Sequence, residues 1–177
     1  GDQAFHVTLP LPGAVHTEQA RPQNLRALPL AQRLPDDHLH VAGLVLQAPV
    51  LFLPNVFEPE FCRMLVGLYE KHGGEESGFM REVDGKTVAI HDHRHKRRKD
   101  YTIEDPELIK QTQRRIQRRI VPEILKVHQF RITRMERYIV ACYTAEDGGY
   151  FRPHRDNTTK GTAHRVFAVT INLNAED

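Results

Sequence analysis

A chain of 177 residues is long enough to bury one domain-sized core, and its 40% hydrophobic and 27% charged residues are ordinary for a globular domain. No run approaches the roughly eighteen apolar residues needed to span a bilayer, and the N-terminus lacks the charged and apolar regions of a signal peptide. The net charge of +2 gives no case for nucleic acid, so any basic partner surface has to be local.

Residues 1 to 48 carry little regular pattern. Pro10, Pro12, Pro22, Pro29 and Pro35 punctuate short apolar runs, and proline blocks helix interiors and central strands. We expect a linker, a wrapping arm or the tail of a preceding domain, with His38 and His40 facing solvent rather than a metal. From Ala48 the texture changes. Val50-Leu51-Phe52-Leu53 reads as a short buried strand ended by Pro54. Glu58-Pro59-Glu60 then opens a helix, with proline and acidic residues in its first turn, and Gly73-Gly74 stops it. Phe57, Phe61, Met64, Leu65 and Leu68 recur at three- and four-residue spacing and predict its inward face.

Gly78 to Ile90 predicts a hairpin, with Asp84-Gly85 as a two-residue turn between Phe79–Val83 and Lys86–Ile90. His91, His93 and His95 follow at alternate positions, interleaved with Arg94 and the basic run Lys96 to Lys99. Such a charge run reads first as a solvated loop, with a zinc site or a grasp on an acidic or peptide substrate as sharper alternatives. Asp105-Pro106 starts a second helix, an N-cap followed by proline at the first helical position. It turns Leu108, Ile109, Ile116 and Ile120 inward and Arg114, Arg115, Arg118 and Arg119 outward. Pro122 kinks or restarts it, and Ile124, Leu125 and Val127 continue the apolar face. Arg131 to Tyr143 alternates and is rich in Ile, Val and Tyr, as a strand is.

Cys62 and Cys142 lie in separate apolar segments without paired spacing, which predicts buried thiols in a reducing, cytoplasmic compartment. The stretch from Tyr138 to Asn174 carries the chemistry. Two strand-like runs flank Gly148-Gly149, and His154-Arg155-Asp156 stands at the exit of the turn. Period-two alternation puts His154 and Asp156 on one side of the chain, as two donors of a 2-His-1-carboxylate facial triad. In Arg165 to Leu173, Phe167, Val169, Ile171 and Leu173 share a core face, while Ala168, Thr170 and Asn172 share the small, polar face that suits a pocket.

Val140-Ala141-Cys142-Tyr143, the Gly148-Gly149 turn, Phe151 to Asp156 and Arg165 to Asn174 together resemble the prolyl-4-hydroxylase-like branch of the 2-oxoglutarate/Fe(II) dioxygenases. The resemblance is close over about the last forty residues and looser from about Pro49. It implies an α+β fold with a double-stranded β-helix (jelly-roll) core, buttressed by helices from the N-terminal half. It implies Fe(II) held by His154 and Asp156, 2-oxoglutarate as cosubstrate and ascorbate as an accessory reductant. It also implies a pocket lined by Tyr143, Thr170 and Asn172, and a peptide or small-molecule substrate hydroxylated at an unactivated C–H, prolyl residues being characteristic of this branch. Decarboxylation of the cosubstrate to succinate and CO2 would accompany the hydroxylation. Tyr143 falls where such enzymes hydrogen-bond the cosubstrate.

One departure stands out. The family supplies a second metal-binding His, and a basic residue for the distal carboxylate of 2-oxoglutarate, far downstream of its His-x-Asp. Here only His164 follows, which belongs to the turn before the next strand, and Arg165 has a structural role. Since the chain starts at Gly1 without Met and stops at Asp177 just after an apolar strand, we expect a fragment. Residues 49 to 177 would be the N-terminal part of the dioxygenase domain, incomplete at its C-terminus, with the missing groups beyond Asp177. The rival reading is a non-catalytic module that binds an acidic partner or nucleic acid through the segment Arg94 to Lys99 and the arginine helix.

Overall fold

The computed structural model describes residues 3–12 and 50–174. The chain divides into two compact units, Gly1–Ala14 with Leu53–Asp177, and Val15–Phe52. Only residues 50–52 of the second unit are described, and His38 and His40 lie outside the described residues. In chain order the elements are β1 (Gln3–Pro12), α1 (Pro59–His72), β2 (Glu75–Glu76), β3 (Phe79–Val83), β4 (Lys86–Ile90), β5 (Lys96–Arg97) and β6 (Lys99–Thr102). Then come α2 (Pro106–Arg119), α3 (Val121–His128), β7 (Ile139–Thr144), β8 (Tyr150–Phe151) and β9 (Arg165–Asn172). This is a mixed α+β architecture with antiparallel pairing, and among the described residues no sheet closes into a barrel.

The main sheet has five strands in the order β2-β6-β7-β1-β9. At its middle, Gln3–Pro12, within the segment expected to be a linker, a wrapping arm or a tail, forms β1, which pairs with β7 on one side and β9 on the other. The prolines survive there for a positional reason. β1 pairs with β7 only from Gln3 to Thr8, so among the described residues Pro10 and Pro12 have β9 as their sole strand neighbour and no ladder bonds on the other backbone edge. The register on β9 also shifts between Leu11 and Pro12.

The helices cover one face of this sheet. On α1, Phe61, Leu65 and Tyr69 recur at i, i+4, i+8 and are buried, whereas Met64 is 38% exposed. Phe57, Phe61 and Leu65 of the expected stripe are therefore buried and Leu68 is half-buried, with Met64 turned out and Tyr69 added to the inward row. Leu65 is fully buried, and Tyr69 meets Cys142 on β7. In α2 the Asp105 carboxylate accepts from the amides of Glu107 and Leu108, at 2.8 and 2.9 Å, as an N-cap does. Leu108, Thr112, Ile116 and Ile120 face inward, and the Thr112 hydroxyl is satisfied by the Leu108 carbonyl at 2.9 Å. Pro122 restarts the helix as α3, but only Ile124 of its apolar residues is buried, Leu125 and Val127 being exposed. The outward arginines are not a free basic face. Arg115 and Arg118 reach Glu58 at 2.6 and 3.2 Å, and Arg119 donates to the Pro54 carbonyl.

Two expected strands differ. Val50 to Leu53 forms none, and Phe52 is 87% exposed. The strand expected from Arg131 begins only at Ile139, because Arg137 adopts a left-handed backbone (φ 57°) that interrupts the pleat. The β3–β4 hairpin has the expected register, Val83 opposite Lys86 across Asp84-Gly85. Cys142 is buried and Cys62 half-buried, both as free thiols, and no helix among the described residues is long and apolar enough to cross a membrane.

Since Leu65 is fully enclosed between α1 and the sheet, Leu65→Ala is expected to cost about 2–5 kcal/mol of unfolding free energy. Urea denaturation monitored by far-UV circular dichroism measures it, and a cost below about 1 kcal/mol would contradict this packing.

Candidate functional site

The face of the main sheet opposite the helices opens onto a cavity of about 700 Å³. Alternation on β7 sends Val140 and Cys142 toward the helices and Ile139 and Tyr143 toward the cavity. On β9 the expected two-faced pattern is present: Phe167, Val169, Ile171 and Leu173 are half-buried or buried, while Ala168 and Thr170 line the cavity. Phe167 packs against His128 and Phe130 at the end of α3, with ring centroids 5.3 and 5.1 Å away. Asn172 shares the exposed face and is not among the residues that line the cavity.

His154 and Asp156 stand together at this cavity. After β7 the chain reverses through a turn in which the Gly149 amide donates to the Thr144 carbonyl and Gly148 takes a left-handed backbone (φ 57°). It re-enters as β8, which pairs with β5 so that Phe151 lies opposite Lys96. The Arg152 amide extends this pairing to the His95 carbonyl. Phe151 stacks on the His154 ring at 3.6 Å between centroids and fixes its plane. His154 Nδ1 sits 2.7 Å from the Arg152 carbonyl oxygen. A carbonyl only accepts, so Nδ1 carries the proton and, in the neutral ring, Nε2 presents its lone pair. That lone pair faces Asp156 Oδ1 at 3.3 Å.

Two acceptors converging at this distance need a cation between them, either a proton or a metal ion. Ligand atoms about 2.1 Å from one metal, in adjacent octahedral positions, lie about 3.0 Å apart, which the observed separation matches closely. The carbonyl on Nδ1 is the outer partner that metal-bound histidines characteristically have. The residues therefore fit a borderline divalent metal, although among the described residues no group of three or more His, Cys, Asp or Glu side chains gathers around one point. His164 does not join, because its Nε2 contacts Glu136 at 2.9 Å, and Arg165 pairs with the same carboxylate at 2.9 Å. His93 meets Glu76, and His95 packs between Phe79 and Phe151, and among the described residues the three alternating histidines are not gathered around one point.

The basic segment corrects the expectation of a solvated loop. Lys96 is 6% exposed, and it lines the cavity together with Arg98, while Arg97 and Lys99 face out. The Lys96 ammonium donates to Ser77 Oγ at 2.6 Å and to the Gly78 carbonyl at 2.8 Å, and lies 4.7 Å from the Phe151 ring centroid. Arg98 is bound to Asp100, Nη2 to Oδ2 at 2.8 Å and Nε to Oδ1 at 2.7 Å, and Ser77 also donates to Asp100. The second Arg98 contact is an ion pair whose angle falls short of a hydrogen bond. Arg137 belongs to the same basic lining, as do Arg81, Arg155 and Arg165. The missed signal was period two: Lys96, Arg98 and Asp100 are one face of an extended segment. Nothing local announces Arg137.

Against protein-family models, curated proteins and solved structures alike, the chain finds no match.

Burial, and then the neighbouring Arg98, push the Lys96 pKa down to about 8 from an ordinary 10.5. The folded state then binds fewer protons than the unfolded one between those values, so stability rises with pH there. The gain is about 3 kcal/mol at most. Urea midpoints measured from pH 7.5 to 10.5 are expected to climb in the wild type relative to Lys96→Met, and identical slopes would contradict the burial of this charge.

Proposed function

We propose that the protein is an Fe(II)- and 2-oxoglutarate-dependent dioxygenase that hydroxylates an unactivated C–H bond, with prolyl residues of polypeptides as the substrate class. The carrying observation is the His154–Asp156 pair: Nδ1 engaged by the Arg152 carbonyl, and Nε2 and Oδ1 converging at 3.3 Å beside a cavity of about 700 Å³. The α+β framework, with its cavity on the sheet face opposite the helices, is compatible with a double-stranded β-helix core, which we include in the proposal.

In this reading His154 and Asp156 hold the metal, a neutral nitrogen and a charged oxygen suited to a borderline divalent ion. Fe(II) with 2-oxoglutarate supplies oxygen activation for C–H oxidation, coupled to loss of CO2 and formation of succinate. The protein's own part is positional. Phe151 holds the His154 plane by stacking, and the Arg152 carbonyl fixes its tautomer. Tyr143 and Thr170 present hydroxyl groups from neighbouring regions of the cavity wall to a bound keto-acid. Ascorbate enters the proposal only as a reductant that keeps the metal ferrous.

The rival reading as a basic interaction module would rest on the exposed Arg94, Arg97, Lys99 and Arg114. Lys96 and Arg98 turn into the cavity, and three α2 arginines are tethered to Glu58 and Pro54.

Anaerobic addition of Fe(II) and 2-oxoglutarate to the full-length protein is expected to produce a visible metal-to-ligand charge-transfer band. His154→Ala and Asp156→Ala should each remove the band and lower succinate formation at least about 100-fold with the fold intact. A wild-type protein without the band, or variants that retain it, would sink the proposal.

A further inference from the structure

Lys96 is a buried amine whose surroundings decide what its nitrogen can do. The single hydroxyl hydrogen of Ser77 goes to Asp100, so toward Lys96 the Ser77 oxygen only accepts, at 2.6 Å. The Gly78 carbonyl, at 2.8 Å, only accepts as well. Two N–H bonds of Lys96 are thereby committed. An ammonium has a third hydrogen, and among the described residues no acceptor takes it. A neutral amine has only two, so the same two bonds satisfy it and leave its lone pair unshared. The nitrogen stands on the cavity wall, 4.7 Å from the Phe151 ring centroid. The site therefore suits the neutral amine better than the ammonium, in keeping with the lowered pKa, and a desolvated neutral lysine is a nucleophile.

Size and charge select the electrophile. At 6% exposure Lys96 is reached only by a small molecule. The wall around it holds six lysine and arginine side chains against two carboxylates, Glu82 and Asp156. Adding Asp100 behind Arg98 and Glu136 behind Arg165 makes four anions against six cations, still a positive surplus. Burial, and then Arg165, hold the Arg137 pKa below its ordinary value, which shows the same crowding of positive charge. An aldehyde would convert Lys96 to a neutral or positive imine, and an acyl donor to a neutral amide. Carbon dioxide is smaller than either and leaves an anion, which is the product that a cationic, poorly hydrated wall favours most.

We propose that Lys96 is a site of reversible carbamylation by carbon dioxide, an anionic modification that reverses the charge of one side chain on the cavity wall. The nitrogen lone pair attacks the carbon, an N–C bond forms, and one C–O π pair moves onto oxygen. The nitrogen gives one proton to solvent, and nothing is oxidised or reduced. The N–H that remains still has the Gly78 carbonyl as acceptor. The inference rests on the hydroxylase reading only for a local source, since that reaction releases carbon dioxide; dissolved gas serves equally for the test. Occupancy at a fixed level of dissolved carbon dioxide rises with pH as the amine deprotonates and falls below it. The charges that set this balance are Arg98, Arg137, Asp100 and Asp156.

The test equilibrates the metal-free, full-length protein with isotopically labelled bicarbonate at mildly alkaline pH. NMR is expected to show a carbamate carbonyl resonance apart from bicarbonate, lost on acidification. Lys96→Arg, which keeps the positive charge without the amine, and Lys96→Met should both lack it. Trapping the wild type with a trialkyloxonium salt, then peptide mass spectrometry, assigns the modified lysine even if neither variant folds. The melting temperature of the wild type should rise with dissolved carbon dioxide at constant pH and ionic strength, and that of Lys96→Arg should not. No carbamate, or a carbamate at other amines with Lys96 unmodified, overturns the proposal. So does borohydride capture of acetaldehyde on a Lys96 that carbon dioxide leaves unlabelled. A Lys96 carbamate in a protein that forms no charge-transfer band with Fe(II) and 2-oxoglutarate sinks the hydroxylase alone. The band without the carbamate sinks this inference alone.

Discussion

The carboxylate of Asp100 is where the strands around the cavity are tied together. It stands on β6 opposite Ala141 of β7, is nearly enclosed, and takes Arg98, the residue between β5 and β6, and Ser77 from the segment leading into β3. Burying such a carboxylate is unfavourable unless it is paired: Oδ2 accepts from Arg98 and Ser77, and Oδ1 is held by the ion pair with Arg98 Nε alone. The consequence runs through Ser77 to Lys96, and from Lys96 across the β5–β8 pairing to Phe151 and His154. A change at Asp100 therefore reaches the His154 ring through contiguous contacts, although the two residues are far apart in sequence.

Backbone polarity orients the candidate metal pair as much as side-chain identity does. His-x-Asp alone guarantees that two donors share a side of the chain; it does not say which imidazole nitrogen is free. That is decided by the Arg152 carbonyl, which can only accept and so fixes the proton on Nδ1. The stack of Phe151 on the ring removes the remaining rotational freedom at a site whose side chains are still one-third open to solvent, His154 32% and Asp156 39% exposed. Partial exposure of this kind leaves both side chains accessible from the cavity while the stack holds the ring.

How much of this was legible follows from the range of each signal. Local rules worked where the determinant is local: the Asp105-Pro106 helix start, the Asp84-Gly85 hairpin and the two faces of β9 all appear as read. They failed where the partner is distant. Nothing near Gln3–Pro12 shows that β7 and β9 lie open to receive a strand, and proline counted against the strand because its one-sided pairing was not visible. On α3 the apolar run was read as one face, but the helix is short and only Ile124 meets the core. The site divides in the same way. His154, Asp156, Tyr143 and Thr170 were reachable by alternation, whereas Arg137 owes its place to a left-handed backbone that no pattern encodes.

The basic segment shows why a charge run should be read with the period of the structure that carries it. Counted by composition, His91 to Lys99 is a solvated loop. Counted by twos once it becomes extended, it separates into an inner row, Lys96 and Arg98, and an outer row, Arg97 and Lys99. Only the inner row bears the desolvation cost, and only one of its two cations has a carboxylate partner. The outer row stays in water, where opposite charges and salt screen it cheaply. The same four basic residues thus do two unrelated things, and the uncompensated one, Lys96, lies on the cavity wall against Phe151 and so beside His154.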